Sequence, residues 1–176
     1  ALTPAIAVVT NCEADHLDIY TDLADVRATF AQFLRPARTV VLCADDEGAA
    51  SLPVPAGAER LTYGIRARDA RLRALDVRLE GTGSSFEAAL DGMALGTVTL
   101  AVPGAHNVLN ALAAIASGLS LGATLPALRP GLERFTGVER RFQRLGQARG
   151  VRVVDDYAHH PTEIVATLEA ARAAYP

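Results

Sequence analysis

The sequence contains no lysine, so all seventeen of its basic residues are arginine. Without lysine, the chain has no ammonium group that could clamp a phosphate, form a Schiff base or be carbamylated. It also lacks the G-x-G-K-[ST] pattern of a phosphate-binding loop. Gly81, Gly83 and Ser84 match such a loop only in composition, because they lie between predicted strands and no helix follows them. The chain therefore carries no P-loop.

Cysteine is scarce and apolar runs are short. Only Cys12 and Cys43 are present, far apart and outside any C-x-x-C pair. That pattern excludes a zinc or disulfide framework and is typical of a reducing compartment. No signal peptide and no apolar run of membrane-spanning length is visible. These features predict a cytoplasmic protein with no membrane partner.

The net charge of the chain is also small. The net charge is -3, with 21% charged and 50% hydrophobic residues, as in ordinary globular proteins. Binding to nucleic acid through bulk electrostatics would need a basic balance, so no nucleic-acid partner is expected. A length of 176 residues allows one domain, or one domain and part of another.

The first part of the chain predicts an α/β fold. The runs AIAVVT (5–10) and TVVLCA (39–44) are continuous and rich in β-branched residues, as in strands buried within a parallel sheet. Between them, apolar residues recur at helical spacing from Asp22 to Leu34, and Pro36 ends the pattern. Strand, helix and strand at this spacing predict a right-handed crossover unit, and hence a parallel sheet with flanking helices.

The pattern changes after residue 58. Short, partly alternating segments over 59–102 are separated by Gly and Ser clusters and by the Asp-Gly pair at 91–92, a strong hairpin signal. This section is predicted to form mostly antiparallel strands, as an insertion or edge layer on the parallel sheet. After the Pro-Gly pair at 103–104, helical spacing predicts a helix over about 106–121 and a second over 125–135.

The last part of the chain predicts a hairpin and a helix. Residues 140–156, RRFQRLGQARGVRVVDD, are expected to turn at the Arg-Gly pair at 149–150, with VRVVDD (151–156) as a buried strand. Pro161 suits the first position of a helix. Three apolar residues of that helix are expected to face a core: Ile164, Val165 and Leu168.

The ends of the sequence are unusual for a complete protein. It begins with Ala1 rather than methionine, and an apolar strand starts almost at once at Ile6. The last residues, TLEAARAAYP (167–176), run out within or at the end of a helix. The chain is therefore expected to be a piece of a longer protein.

Two polar clusters follow two predicted strands. TNCEADHLD (10–18) comes after the first strand, and DDYAHHPTE (155–163) comes after the strand near 151–156. Ligands of open α/β sheets bind beyond the carboxyl ends of strands, so both clusters are candidate sites. The structural alternatives are a solvated loop whose Asp and Thr cap the helix at 22, and an Asp-capped helix with surface histidines. Burying two unpartnered acids beside a valine strand would be costly, which favours function for the second cluster.

A third candidate, PGAHNVLNALAAIA (103–116), lies at a helix start. Asn107 and Asn110 are three residues apart and therefore share one helical face. An asparagine amide can hydrogen-bond a base edge bidentately, so a purine pocket is one interpretation. The structural alternative is an N-cap, the usual role of asparagine at a helix N-terminus.

Taken in order, VTNCEADHLD, VPGAHNVLNALAAIA, GVERRFQ and DDYAHHPTE resemble the Mur ligase family over essentially the whole chain, and DDYAHHPTE is the most specific motif. The family implies an ATP-dependent ligase of peptidoglycan biosynthesis that forms an amide through an acyl phosphate. The motifs are most similar to those of the member that joins L-alanine to UDP-N-acetylmuramate. The runner-up is the member that recycles murein tripeptide, which typically has phenylalanine at the position of Tyr157.

The resemblance implies a metal-contacting role for His16, and Mg²⁺ as the metal. The preference of magnesium for oxygen ligands would instead favour Glu13, Asp15 or Asp18. Both interpretations place the metal in the loop after the first strand.

The resemblance also implies a nucleotide site. Asn107 and Asn110 would face adenine, Asp156 would hold the ATP ribose, and Arg141 would reach the phosphates from the domain junction. This role predicts that Asp156→Asn weakens ATP binding while leaving the melting temperature nearly unchanged.

The remaining implied roles concern the reaction itself. Tyr157 and His159 would face the reacting centre and the incoming amino acid. His159 and Arg141 are the expected catalytic residues, because phosphoryl transfer depends on positioning and charge neutralisation.

The resemblance implies missing parts as well. The family has a UDP-binding domain, a central ATPase domain and a C-terminal Rossmann-like domain, and its phosphate-binding loop precedes the strand at 5–10. Residues 1–137 are therefore expected to be the latter part of the central domain, and residues 138–176 the beginning of the C-terminal domain. The missing N-terminal and C-terminal portions of the same protein would be the binding partners of this piece. A hinge between the two domains is expected near residues 137–141. A non-catalytic nucleotide-binding module that lost the P-loop is an alternative of another class.

Overall fold

A computed structural model describes residues 3–175. Ala1, Leu2 and Pro176 lie outside the described residues, and so does Ala1 as an argument for a longer protein. The strands in this range are β1 (Ile6–Val9), β2 (Thr39–Cys43), β3 (Glu59–Gly64), β4 (Leu72–Glu80), β5 (Gly83–Leu90), β6 (Met93–Leu100), β7 (Gln143–Ala148) and β8 (Val151–Asp155). The helices are α1 (Leu23–Leu34), α2 (Glu47–Ala50), α3 (Ala105–Ser120), α4 (Leu125–Arg134) and α5 (Pro161–Ala174).

Strands β1 to β6 form one mixed sheet in chain order. The pairs β1–β2, β2–β3 and β3–β4 are parallel, and the pairs β4–β5 and β5–β6 are antiparallel. The predicted α/β fold is confirmed, including the crossover from β1 through α1 to β2. The antiparallel prediction is confirmed for β4 to β6 and wrong for β3, which pairs along its length with the buried strand β2. Alternation of apolar and polar residues does not show whether a strand is parallel or antiparallel, because that depends on which strand it pairs with. The sequence therefore did not reveal that β3 pairs with β2.

Local signals placed the turns and helix ends correctly. The β5–β6 hairpin turns at Asp91 and Gly92, whose φ angles of 50° and 82° are those of a type I′ turn. Gly81 and Thr82 form the β4–β5 turn, so the glycines there belong to a hairpin and not to a phosphate loop. Asp22 is the N-cap of α1 and accepts the amide N–H of Asp25 over 2.9 Å.

The main core lies between the sheet and its helices. All five residues of β2 are buried, and α3 places Val108, Leu112 and Ile115 against the sheet with no exposed surface. α4 packs on α3 so closely that a Cβ on Gly118 would lie 2.5 Å from Leu128. This core fixes the carboxyl ends of β1, β2 and β3 next to the N-terminus of α3.

A second, smaller cluster lies beyond residue 137. β7 and β8 form a separate two-stranded sheet, and α5 packs its alanine face, Ala170 and Ala174, against Phe142. The prediction that 151–156 is a buried strand is wrong, because Val151 and Val153 are 65% and 47% exposed. The core-facing prediction for α5 is also wrong, because a two-stranded sheet covers only one narrow helical face. The exposed residues are Ile164, Val165 and Leu168.

Two further features concern the whole described chain. Cys12 and Cys43 are both buried and unbridged. In residues 3–175, every helix is too short or too polar to cross a membrane.

Candidate functional site

A cleft of about 1790 Å³ lies at the carboxyl ends of β1, β2 and β3, between the sheet and the start of α5. Its walls include five of the seven residues singled out from the sequence: His16, Asn107, Asn110, Arg141 and Asp156. The three polar motifs, which are far apart in the chain, therefore meet in one cleft. Tyr157 and His159 are not part of its lining.

The His16 loop is pinned to the sheet by a carboxylate that the sequence did not reveal. Asp46 Oδ1 accepts the backbone N–H of Cys12 over 3.1 Å and that of Ala49 over 2.6 Å. His16 itself has a φ of 52°, unusual for a residue with a side chain, and its N–H donates to Asp15 Oδ1 over 2.7 Å. That hydrogen bond holds the pKa of Asp15 below its usual value.

The side chains around His16 do not form a metal site by themselves. The His16 side chain is 65% exposed, and its Nε2 lies 3.7 Å from Asp15 Oδ2. No group of three or more His, Cys, Asp or Glu side chains among residues 3–175 is arranged to hold a metal ion. The described residues therefore do not fit a complete Mg²⁺ site, which needs about six oxygen or nitrogen ligands.

The start of α3 supplies the asparagine pair. Its N-cap is Gly104, with a φ of 95° and no side-chain cap, so the N-cap interpretation of Asn107 is wrong. Asn107 Nδ2 instead donates to the carbonyl of Pro103 over 2.8 Å. Asn110 is exposed on the same face, with its Nδ2 3.5 Å from Asn107 Oδ1. The Asn110 amide thus presents a donor and an acceptor to the cleft, which suits a base edge.

Asp156 does not cap α5, so the Asp-cap interpretation is wrong as well. Its Oδ2 accepts the N–H of Phe142 and its Oδ1 accepts the N–H of Ala158, both over 2.8 Å. The carboxylate is thereby fixed at the junction of β7 with the 155–160 segment. Each carboxylate oxygen has a second lone pair, so ribose hydroxyls can still be accepted.

These two hydrogen bonds change the expectation for Asp156→Asn. An asparagine offers one oxygen and one NH₂ group, so one backbone N–H would face another donor. This variant of the full-length gene product is expected to lose about 1–3 kcal/mol of unfolding free energy, in addition to ATP affinity.

Chemical denaturation and ATP titration of the same protein would measure both effects. Asp155→Asn is the matched control, because Asp155 is 3.9 Å from Arg140 and 40% exposed, so its loss should change stability little. Equal stability of Asp156→Asn and the unmodified protein would show that the hydrogen bonds contribute little.

His106, directly before Asn107, was missed as a site residue. Burial lowers its pKa, the Asp156 carboxylate raises it and the Arg141 guanidinium lowers it further. The environment therefore favours the neutral imidazole beside Asp156 and Arg141. Its position in the third motif is the only sequence signal that could have identified it.

Glu163 was also missed, and it organises the start of α5. Its carboxylate accepts the backbone N–H groups of His159 and His160 over 3.1 and 3.4 Å, and Arg141 Nη1 lies 3.4 Å away. Burial raises its pKa, but the two N–H groups and the arginine outweigh burial and leave the pKa below its usual value. Its spacing, three residues after the N-cap His160, is that of a capping box and was visible in HPTE.

Tyr157 and His159 lie together outside the cleft. The Arg140 guanidinium carbon is 4.5 Å from the centre of the Tyr157 ring, and the His159 ring centre is 5.1 Å away. The His159 Nδ1 lies 2.9 Å from the Tyr157 carbonyl oxygen, and the Tyr157 side chain is 52% exposed. The structure thus separates these two residues from the other five.

Family comparisons identify the fold. The Mur ligase middle domain model matches residues 1–118, and the model of the Mur ligase, glutamate ligase domain matches residues 140–176. The chain belongs to the Mur ligase family. The resemblance drawn from the four motifs is confirmed.

Individual Mur ligases match over nearly the whole chain. Curated relatives from Salinibacter ruber and Acidothermus cellulolyticus, both named UDP-N-acetylmuramate–L-alanine ligase, are 46% and 51% identical over 99% and 94% of this chain. These matches cover 37% and 36% of the relatives. The solved UDP-N-acetylmuramate–alanine ligase of Thermotoga maritima is 32% identical with a TM-score of 0.83, covering 99% of this chain and 39% of that one. The chain thus spans a little over a third of the length of these Mur ligases.

Proposed function

We propose that this chain is the nucleotide-binding portion of a Mur ligase that joins L-alanine to UDP-N-acetylmuramate with ATP. The cleft carries the proposal, because it brings Asn107, Asn110, Arg141 and Asp156 together from three separate motifs. The names of the curated relatives support the choice of substrates. The murein peptide ligase of Psychrobacter arcticus, at 24% identity and a TM-score of 0.66, supports only the shared fold.

The proposed reaction has two steps. The muramyl carboxylate attacks the γ-phosphorus of ATP, and ADP leaves to give an acyl phosphate. The alanine amine then attacks the acyl carbon, an amide forms and phosphate leaves. Such phosphoryl transfer is accelerated mainly by positioning and charge neutralisation.

Residues of the cleft have defined parts in this scheme. Asn107 and Asn110 would hold the adenine edge, and the fixed carboxylate of Asp156 would accept the ribose hydroxyls. Arg141 would neutralise phosphate oxygens, a role that no lysine of this chain can take. Mg²⁺, which the family implies, would need ligands in addition to His16, so no step is assigned to it.

Domain organisation is part of the proposal. Residues 1–137 would be the latter part of the central domain, and residues 138–176 the beginning of the C-terminal domain of a cytoplasmic enzyme. Positive φ angles at Gly137, Arg140 and Phe142, of 107°, 57° and 49°, give this junction an irregular backbone suited to a hinge. Rotation there would bring Tyr157 and His159 to the reacting centre and the amino acid.

The test uses the full-length gene product with ATP, magnesium, UDP-N-acetylmuramate and L-alanine. Mass spectrometry should detect UDP-N-acetylmuramoyl-L-alanine, with one phosphate released per product. Product formation only with murein tripeptide in place of L-alanine would identify the recycling ligase instead. ATP binding without either product would identify a non-catalytic nucleotide-binding module.

A further inference from the structure

One hydrogen bond links the two parts of the chain on either side of residue 137. The Thr162 hydroxyl, in the first turn of α5, donates to Glu13 Oε2 over 2.6 Å, although the two residues are 149 positions apart. His160 Nδ1 lies 3.8 Å from the same oxygen. Between residues 3–137 and 138–175, as far as the structure describes them, no second hydrogen bond is formed.

The Glu13 end of this bond is held in place by its own loop. Asn11 Nδ2 donates to Glu13 Oε1 over 3.4 Å, and the adjacent Cys12 N–H is bonded to Asp46. Glu13 is therefore attached to the sheet through the same loop that carries His16. Its side chain is only 28% exposed.

The Thr162 end connects to the nucleotide side of the cleft. Thr162 directly precedes Glu163, whose carboxylate accepts the N–H groups at the start of α5 and contacts Arg141. A displacement of this helical turn would therefore move Glu163, and with it Arg141. The Glu13–Thr162 bond thus links the His16 loop, through Glu163, to Arg141.

Glu13 is better placed for this contact than for a metal. Each of its carboxylate oxygens accepts one hydrogen bond, from Thr162 or from Asn11, and no group of three or more His, Cys, Asp or Glu side chains among residues 3–175 is arranged to hold a metal ion. Magnesium prefers oxygen ligands, which made Glu13 a candidate ligand in the sequence, but the geometry does not support that role. A carboxylate near the N-terminus of α5 is also favoured by the helix dipole.

Few other contacts fix the orientation of the two parts. α5 touches α3 and β4, and a Cβ on Gly104 would lie 3.0 Å from Ala170, so this contact involves only small side chains. Contacts this small leave domain motion as the default expectation. A net hydrogen bond shifts such an equilibrium by roughly two- to tenfold.

We propose that Glu13 is a positioning residue that ties the His16 loop to the N-terminus of α5 and so holds Arg141 at the cleft. The consequence for ligation rests on the proposed function. The existence of the Glu13–Thr162 hydrogen bond does not rest on the proposed function, so it can be tested separately.

Hydrogen exchange of the full-length gene product tests the bond without any ligand. Thr162→Val keeps the shape of the side chain but removes the donor, and should speed exchange of amides in residues 11–18 by roughly two- to tenfold. Thr162→Ser keeps the donor and should exchange like the unmodified protein. Identical exchange in Thr162→Val and Thr162→Ser would overturn the proposal.

Ligation kinetics test the consequence. Glu13→Ala and Thr162→Val should each lower kcat/KM for ATP by roughly two- to tenfold, and the double variant should lower it no further. Thr162→Ser should restore the rate, and Glu133→Ala on the exposed face of α4 is the matched control. Fully additive single effects would overturn the proposal.

A magnesium titration separates positioning from metal binding. Glu13→Gln keeps an acceptor oxygen and should need the same magnesium concentration as the unmodified protein. A tenfold higher requirement in Glu13→Gln, but not in Thr162→Val, would make Glu13 a metal ligand and overturn the proposal. If the unmodified protein had no ligase activity, the proposed function would be refuted. The hydrogen-exchange comparison would then still test whether the Glu13–Thr162 hydrogen bond positions the loop.

Discussion

Arg141→Ala in the full-length gene product is expected to lower kcat/KM for ATP by about 10²- to 10³-fold. Arg141 lines the cleft and its side chain is 51% exposed, and within residues 3–175 its guanidinium hydrogen-bonds the carboxylate of Glu163 alone, at 3.4 Å. Its guanidinium can therefore turn towards phosphate oxygens without leaving a buried partner behind. Charge developing on a transferring phosphoryl group is neutralised largely by such side chains.

Two further variants test this role for Arg141. Arg141→Lys should recover little activity, because an ammonium group lacks the planar donor geometry that binds phosphate bidentately. Arg134→Ala, at the exposed end of α4, should change kcat/KM by less than about twofold. Steady-state kinetics with ATP as the varied substrate would measure all three. Normal kinetics of Arg141→Ala would remove the arginine from the proposed site.

The 176-residue chain by itself is expected to neither ligate nor hydrolyse ATP, with activity on the order of 10⁵-fold or more below that of the full-length product. Phosphate oxygens in such reactions are cradled by backbone amides at a helix N-terminus and neutralised by a lysine. This sequence has no lysine and no phosphate-binding loop. Among the described residues the basic side chains that line the cleft are Arg66, Arg141 and Arg144.

A phosphate-release assay with ATP, magnesium, UDP-N-acetylmuramate and L-alanine measures this prediction. The full-length product, assayed in parallel, is the positive control. Any nucleotide affinity of the short chain should depend little on the γ-phosphate, so ATP and ADP should bind alike. Turnover above a matched blank that His16→Ala abolishes would show that phosphate is bound here by other means.

Elements that depend on local chemistry were predictable. Apolar periodicity placed α1, and Asp22 caps it, as the structural alternative for the first polar cluster predicted. The Asp-Gly pair at 91–92 formed the predicted hairpin, because a type I′ turn needs two residues that tolerate positive φ. The four motifs likewise identified the family, because each combines several functional residue types at fixed spacing.

Predictions about burial failed where the covering element could not be known. The VRVVDD strand has the composition of a buried strand, yet β8 pairs only with β7 and stays largely exposed. The apolar residues of α5 satisfy a helical pattern, but alanines form its packed face. A pattern states which residues could be buried, and only the neighbouring layer decides which of them are.

The sequence by itself determined the helices and hairpins, the missing phosphate loop and lysine, and membership of the Mur ligase family. These follow from contacts within a few residues or from composition. Only the tertiary structure decided that β3 is parallel to β2, that Asp156 is held by two backbone amides, and that Glu13 meets Thr162. Each of those contacts joins elements brought together by packing of the sheet and helices, and local chemistry carries no record of such distant partners.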